Sequence, residues 1–365
     1  MQGADRDTVA DALTSGDALP GTGGFAGELD GTLVRDVLGR YPLFVERDGV
    51  EVSGSLAPTA WSHDPTTLAD PRSFPAGYVR DDQGRRRRFT LPSPEPFGDR
   101  ETAVERVRAA VETSVDAVDT NALAIAFSGG VDSGLLAARL DAPLYVAGFP
   151  DSHDVEAARS AADLLGAEVR VVELTHGAIE RAVPEIARAT KRVNAMDVQI
   201  ALPLYLAAER VAADGFDRLA LGQGADELFG GYAKVAKAPE DPRVEADTVR
   251  GAQREVIASL PDQLERDVLA LRAAGVEPVT PLLHDRVVAA ALRLDGDLLV
   301  DGETRKVALR AAARESLPEA IATRDKKAAQ YGSLAARELD RLARQAGYKR
   351  RMDDHVTQYV QSLVE

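Results

Sequence analysis

The sequence predicts an α/β protein, a parallel sheet with helices on both faces, preceded by a small, mostly β domain and followed by a helical C-terminal region. Three observations carry that prediction. From Asp99 onward, long amphipathic helices alternate with short apolar strands, the pattern of a parallel sheet with crossover helices. The first hundred residues are instead rich in Gly, Pro and short β-type runs separated by turn residues. After Tyr232 the chain reads as helical.

In the first part, LVRDVLGRYPLFVER and GVEVSGSLAPTAW are the β-type runs, and RSFPAGYVRDDQGRRRRFTLPSPEPFGDR joins a hairpin at Asp82 to Gly84 to a proline-rich exit. The boundary therefore falls at Pro92 to Gly98 and separates a β-rich domain over 1–95 from an α/β domain over 99–365. In so acidic a chain, the run Arg85 to Arg88 after the turn reads as a solvated hairpin rather than an anion patch. A helix over Glu101 to Val118 opens the second domain. Strands are expected at Ala122 to Phe127, Leu144 to Gly148, Glu168 to Val172 and Arg218 to Leu221, with helices over Val155 to Leu165 and Leu202 to Ala213 as crossovers. The stretch KVAKAPEDPRVEAD has no apolar period and reads as a loop, and no internal repeat is visible.

Composition narrows the function. With 365 residues, 45% of them hydrophobic, the chain can bury one large core or two unequal ones. It has no run of the roughly 20 apolar residues a bilayer requires, and it opens on the acidic MQGADRDTVADAL, so no membrane and a cytoplasmic location are expected. The absence of cysteine excludes disulfides, thiolate metal sites and thiol nucleophiles. A net charge of −15 and a pI near 4.9 argue against nucleic acid as a partner. Acid excess with many Arg and few Lys fits a halophile, although a GC-rich genome raises Arg and Asp as well. Full activity and an ordinary melting curve in dilute buffer would count against salt adaptation.

The strongest motif is ALAIAFSGGVDSGLLAARL, an apolar strand, a tight loop from Ser128 to Gly134 and an immediate helix. Gly129 and Gly130 let the backbone approach an anion, the hydroxyls of Ser128 and Ser133 can donate to phosphate oxygens, and the start of the helix adds unpaired N–H groups. Neither the lysine of a Walker A loop nor the dinucleotide spacing is present, so the expected occupant is the β,γ-pyrophosphate of ATP. Asp132 inside such a loop calls for a cation beside it, magnesium by its chemistry. The alternative is a Gly-Ser turn that only caps a helix.

SGGVDS after a buried strand resembles the PP-loop of N-type ATP-pyrophosphatases, the adenine nucleotide alpha hydrolase-like group that includes GMP, NAD, argininosuccinate and asparagine synthetases. LALGQGADELFGGYAKV resembles the SGEGADELFGGY loop of asparagine synthetases and the related β-lactam synthetases. That resemblance implies Asp226 as a second magnesium ligand beside Asp132, Glu227 just behind it, and Gly222 and Gly224 against the nucleotide. For Asp226 and Glu227 the alternative is a solvated loop cap. Gln223 departs from the pattern, because asparagine synthetases usually carry there a Glu thought to help deprotonate ammonia, and a neutral amide cannot be a general base.

RDKKAAQYGS resembles the segment that carries the family's catalytic lysine, which aligns with Lys326; a fixed cation there would offset charge built up during adenylation. Helix-surface charge is the alternative for Lys326, and more so for Lys327. LYVAGFPDSHDVEAARSAADLLG resembles the family's adenine-receiving stretch, implying Gly148 and Phe149 by the adenine and Asp154 near the nucleotide. Val279 and His284 stand where the family usually has Arg and Asp, and a typical Arg is also missing around Val198 to Pro203, so carboxylate recognition is expected to differ. The resemblance runs from Asp99 to about Ser333.

LVRDVLGRYPLFVE, GSLAPTAW and RSFPAGYV resemble the later half of an Ntn-type glutaminase domain. That domain normally begins Met-Cys-Gly with the cysteine as nucleophile; here the residues are Met1-Gln2-Gly3 and the domain is much shorter. No glutaminase activity is therefore expected, and ammonia would come from solution or from a separate glutaminase subunit. The resemblance as a whole implies an AMP-forming ligase using ATP, Mg2+, aspartate and ammonia, with a homodimer as the other assembly it allows. Another carboxylate substrate, or a silent ATP-binding scaffold, are the competing expectations, and retention of Ser128, Asp132, Asp226 and Lys326 together disfavours the scaffold.

Overall fold

The structure is a computed structural model that describes residues 1–47, 61–150, 152–238, 240–324 and 330–364, without the side chains of 330–334. Its contacts divide the chain into two compact units. One comprises Met1–Val118, Gly222–Glu265 and Thr280–Glu315; the other comprises Asp119–Leu221, Arg266–Val279 and Ser316–Glu365.

The N-terminal part of the first unit folds into small antiparallel sheets, and a two-stranded hairpin, Val300–Asp301 with Thr304–Arg305, lies later in the same unit. The strands of the N-terminal part are β1 (Gln2–Gly3), β2 (Phe25–Leu29), β3 (Thr32–Arg35), β4 (Phe44–Glu46), β5 (Trp61–Ser62), β6 (Pro71–Ser73), β7 (Tyr78–Asp81) and β8 (Gly84–Arg87), ordered β1-β2-β3-β7-β8 and β5-β4-β6. Both faces of the larger sheet are covered, and the two-residue period of a strand sorts the side chains between them. Phe25, Leu29, Val34 and Val79 face a cluster with Val9, Ala12 and Phe89, while Ala26 and Leu33 face Leu43, Val45 and Phe74. The expected hairpin is present, with Asp81 opposite Gly84. Arg85, Arg86 and Arg87 are exposed, as a solvated hairpin requires. Arg88 turns back to donate to the carbonyls of Leu13 and Thr14, the last turn of the helix Arg6–Ser15. The stretch from Gly54 to Ala60 lies outside the described residues.

The proline-rich exit of this unit runs extended against helices of the same unit. This stretch has few N–H groups for a ladder, and arginines take up its carbonyls: Arg254 donates to those of Leu91 and Pro92, and Arg250 to that of Pro94. A fully buried cation, Arg35, closes β3 and donates to the carbonyls of Gly39, Tyr41 and Phe74, to Ser73 and to Glu265.

The second unit holds the parallel sheet that the sequence predicts. Its strands are β9 (Leu123–Ala126), β10 (Leu144–Gly148), β11 (Val169–Glu173), β12 (Arg218–Ala220) and β13 (Glu277–Val279), in the order β11-β10-β9-β12-β13 and all parallel. The four expected strands lie within a residue or so of their expected bounds. β13 was not expected; Pro278 within it is tolerated because the strand is at the sheet edge. The helices His176–Thr190 and Ala195–Ala213 carry Pro184 and Pro203 in their interiors. Pro203 is the reason the sequence marks only the later part of the second helix. Ile186, Val198, Leu202, Leu206 and Leu219 form the core with Leu339 and Leu342 of the helix Gln330–Gln345. Sequence order reverses on the two sides of β9, which makes its carboxyl end the topological switch point of the sheet. Among the described residues, no helix is long and apolar enough to cross a membrane.

Candidate functional site

β9 is buried along Leu123, Ala124 and Ile125, and is extended by the Phe127 N–H, which donates to the Tyr145 carbonyl at 2.7 Å. The chain then turns through Ser128, Gly129 and Gly130 into the helix Val131–Ala137, so the expected strand, loop and helix are all present. The Ser128 N–H donates to Ser133 Oγ at 3.2 Å, and the two hydroxyl oxygens stand 3.3 Å apart. Two hydroxyls on one side of a glycine turn are a pair of donors for anionic oxygens. Asp132 lies in the first turn of the helix, partly exposed.

The neighbouring strand β10 ends at Gly148, where an added Cβ would meet Val155 Cγ2 at 2.5 Å and Ser152 Oγ at 3.0 Å. Ser152 caps the helix His153–Leu165, Asp154 lies in its first turn, and Phe149 packs partly buried against the core. This helix presses on the glycine-serine loop, since a Cβ on Gly129 would stand 2.6 Å from the Ala157 carbonyl oxygen. Gly129 is accordingly left-handed, with φ +74°. Arg324 fastens the junction: Nη1 donates to the Ala157 carbonyl at 2.7 Å and to the Gly129 carbonyl at 3.3 Å, and Nη2 to Ser160 Oγ at 3.4 Å. The sequence marked Arg324 only as the start of a motif. Lys326 and Lys327, two and three positions on, lie outside the described residues.

β12 leads through Leu221 into Gly222, and the acidic loop belongs to the first unit. Gln223 is partly exposed. Gly224, at φ +92°, backs onto Leu283 and opens the short helix Ala225–Leu228. Asp226 Oδ1 is 2.7 Å from the ammonium of Lys306, whose side chain is 4% exposed against 21% for Asp226. Glu227 is buried and accepts the Tyr232 hydroxyl at 2.5 Å. Burial holds its carboxyl above the ordinary range, Tyr232 opposes that, Asp226 adds to it, and Lys306 opposes it. Lys306 is absent from the sequence expectations, because nothing local distinguishes it from a surface lysine.

Val279 pairs with Ala220 as the last residue of β13. His284 precedes the helix Asp285–Ala291 and accepts the Arg286 N–H on Nδ1 at 3.3 Å. Burial first, and then Arg286, lower its pKa, so neutral imidazole is favoured. Beside it Asp285 pairs with the buried Arg40 at 2.7 Å and accepts the Thr22 N–H at 2.7 Å.

A parallel sheet with a Gly-Ser loop at its switch point and a GADELFGGY turn after a second strand defines a nucleotide-binding α/β class. The family model described as asparagine synthase matches residues 105–259 and 240–362, and the chain belongs to that family. It is 31% identical over 274 residues to a protein designated asparagine synthetase 1 (glutamine-hydrolysing) of Methanocaldococcus jannaschii, covering 65% of this chain and 50% of the relative. It is 26% identical over 343 residues to the glutamine-hydrolysing asparagine synthetase B of Escherichia coli, covering 85% of this chain and 61% of the relative. The chain thus spans half to three fifths of the length of these relatives.

Proposed function

We propose that the chain is an AMP-forming amide ligase that activates a carboxylate, aspartate in the leading case, with ATP and delivers the acyl group to ammonia. The observation that supports it most is the loop from Ser128 to Ser133, with its paired hydroxyls and left-handed Gly129 at the end of the central strand. Ser128, Gly129, Gly130 and Ser133 would hold the β- and γ-phosphates; Gly148 and Phe149 would flank adenine, with Asp154, Gly222 and Gly224 against the rest of the nucleotide. A substrate carboxylate oxygen attacks the α-phosphorus and pyrophosphate leaves; ammonia then attacks the acyl carbon, loses a proton and expels AMP.

Among the described residues, no group of three or more His, Cys, Asp or Glu could hold a metal ion. Magnesium carried by nucleotide phosphates needs only one or two carboxylates from the protein, and Asp132 and Asp226 are hard oxygen donors of that kind. When bound, it neutralises charge on the phosphates and the departing pyrophosphate. Glu227, held by Tyr232, keeps the Asp226 turn in place, Gln223 orients the amine by hydrogen bonds, and Lys326 offsets charge on the α-phosphate. With no cysteine in the sequence, this chain has no thiolate for glutamine hydrolysis, so ammonia arrives from solution or from a separate glutaminase.

The departures at Gln223, Val279 and His284 prompt a second reading within the same chemistry, with another carboxylate in place of aspartate. The test is pyrophosphate release from ATP and magnesium, with aspartate or a panel of other carboxylates, and with ammonium or glutamine, in dilute buffer and in concentrated KCl. Release that requires aspartate and ammonium, with asparagine formed, supports the leading case. Release with another carboxylate moves the assignment to that acid, and ADP with orthophosphate as products overturns it.

A further inference from the structure

The ion pair between Asp226 and Lys306 has a geometry that a surface pair lacks. The ammonium is almost wholly enclosed, and an enclosed ammonium is stable only with an anion against it. Gly231 closes over the pair: any side chain there would strike Asp226 Oδ1 and come within 2.5 Å of Lys306 Cε. The Gly231 N–H donates to the Asp226 carbonyl at 2.7 Å, and Arg305 Nη1 donates to the Gly231 carbonyl at 2.7 Å, so the turn and the Arg305-Lys306 segment are fastened together. Lys306 itself is left-handed, with φ +59°, at the start of the helix Val307–Ala313, a conformation uncommon outside glycine. That backbone sets where the side chain starts, and enclosure confines the rest of it, with the ammonium 2.7 Å from Asp226 Oδ1.

We propose that Lys306 is the built-in counter-ion of Asp226 and competes with magnesium for that carboxylate, so that metal capture and displacement of the Lys306 ammonium are one event. The inference rests on Asp226 being a metal ligand, as argued above. The same carboxylate oxygen cannot hold an ammonium and a divalent cation at contact distance, because the two cations repel each other strongly where burial limits screening. Lysine suits this role better than arginine, whose planar fork would bridge both carboxylate oxygens and resist displacement.

The experiment titrates Mn2+ into the full chain saturated with α,β-methylene-ATP, followed by electron paramagnetic resonance, for wild type, K306M, K306R and D226N. Removing the competitor in K306M should tighten Mn2+ binding about tenfold, whereas K306R should bind no tighter than wild type, and D226N should bind Mn2+ more weakly. A K306M protein that binds Mn2+ as wild type does, or more weakly, while D226N is weakened, overturns the competition. Unchanged binding in D226N instead overturns the assignment of Asp226 as a ligand, whatever Lys306 does. If K306M fails to fold, reductive methylation of wild-type Lys306 read by peptide mass mapping decides the matter. Mg2+ with the nucleotide analogue should accelerate labelling severalfold over the analogue alone, and an unchanged labelling rate overturns the proposal.

Discussion

Two adjacent glycines in the loop proposed to hold phosphate should respond to alanine in opposite ways. Gly129 is left-handed, which costs a residue with a Cβ about 1–2 kcal/mol. The new methyl would also stand 2.6 Å from the Ala157 carbonyl oxygen and 3.0 Å from Ala161 Cβ, neither of which can swing away because both belong to a packed helix. Overpacking of this kind costs about 1–3 kcal/mol, so Gly129→Ala should lose roughly 2–5 kcal/mol of stability. Gly130 has an ordinary φ of −88° and meets only Ser128 Oγ, at 3.7 Å. Alanine there restricts the unfolded chain, a gain of about 0.4–1 kcal/mol, and gives up a similar amount as a poorer N-cap. Gly130→Ala should therefore melt like wild type, yet under the proposed reading its methyl meets an approaching phosphate, and ATP affinity should fall at least about tenfold. Calorimetric melting and titration with a non-hydrolysable ATP analogue read the two effects separately. A Gly130→Ala protein that binds the analogue normally would refute phosphate contact at this turn, and a Gly129→Ala protein that melts like wild type would refute the packing of the loop on Ala157.

Three further outcomes follow from buried charge and proton balance. Arg35→Met leaves Glu265, 5% exposed, without its cation and should cost about 3–5 kcal/mol in urea unfolding; adding Glu265→Gln should recover part of that, and strictly additive losses would deny the coupling. The lowered pKa of His284 means that the unfolded chain takes up a proton first as pH falls through about 6.5, so stability declines from there toward the lower folded pKa. His284→Asn, which keeps a cap, should remove that decline, and a constant melting difference between pH 5 and 7.5 would contradict it. Gln223→Glu places a carboxylate, which can accept the proton the amine loses, where the neutral amide cannot. Amide formation from ammonium at neutral pH should then rise by up to roughly 10²-fold, and an unaltered pH–rate profile would exclude a proton-transfer role at this position.

How much of the fold the sequence displays depends on whether a segment's burial is local or assembled. β9 reads directly, because a central strand covered on both faces becomes an unbroken apolar run, as Leu123, Ala124 and Ile125 are. β13 does not, since three residues with an exposed Glu277 and a proline carry no strand pattern, and it exists by pairing with β12. The helices around Pro184 and Pro203 are held by tertiary burial that outweighs a local penalty; Pro203 itself is buried in the helix Ala195–Ala213.

The site divides along the same line. Ser128 to Ser133 and Gly224 to Glu227 are legible as candidates because conformation and chemistry fall within a few consecutive residues, glycine supplying the turn and Ser, Asp or Glu the proposed donors and ligands. Lys306, Arg324 and Arg35 are not legible, because each meets at least one defining partner far along the chain, and an isolated cation among 44 Lys and Arg residues carries no address. Chemistry nevertheless leaves a trace in the choice of cation. Arg35 gathers five acceptors, and Arg324 gathers two carbonyls and a hydroxyl, tasks that need a fixed fork of donors. At Asp226 the chain uses lysine instead, a point charge that neutralises one carboxylate without locking both of its oxygens. In a protein that otherwise prefers arginine, an enclosed lysine marks a place where the cation must hold an anion and also release it.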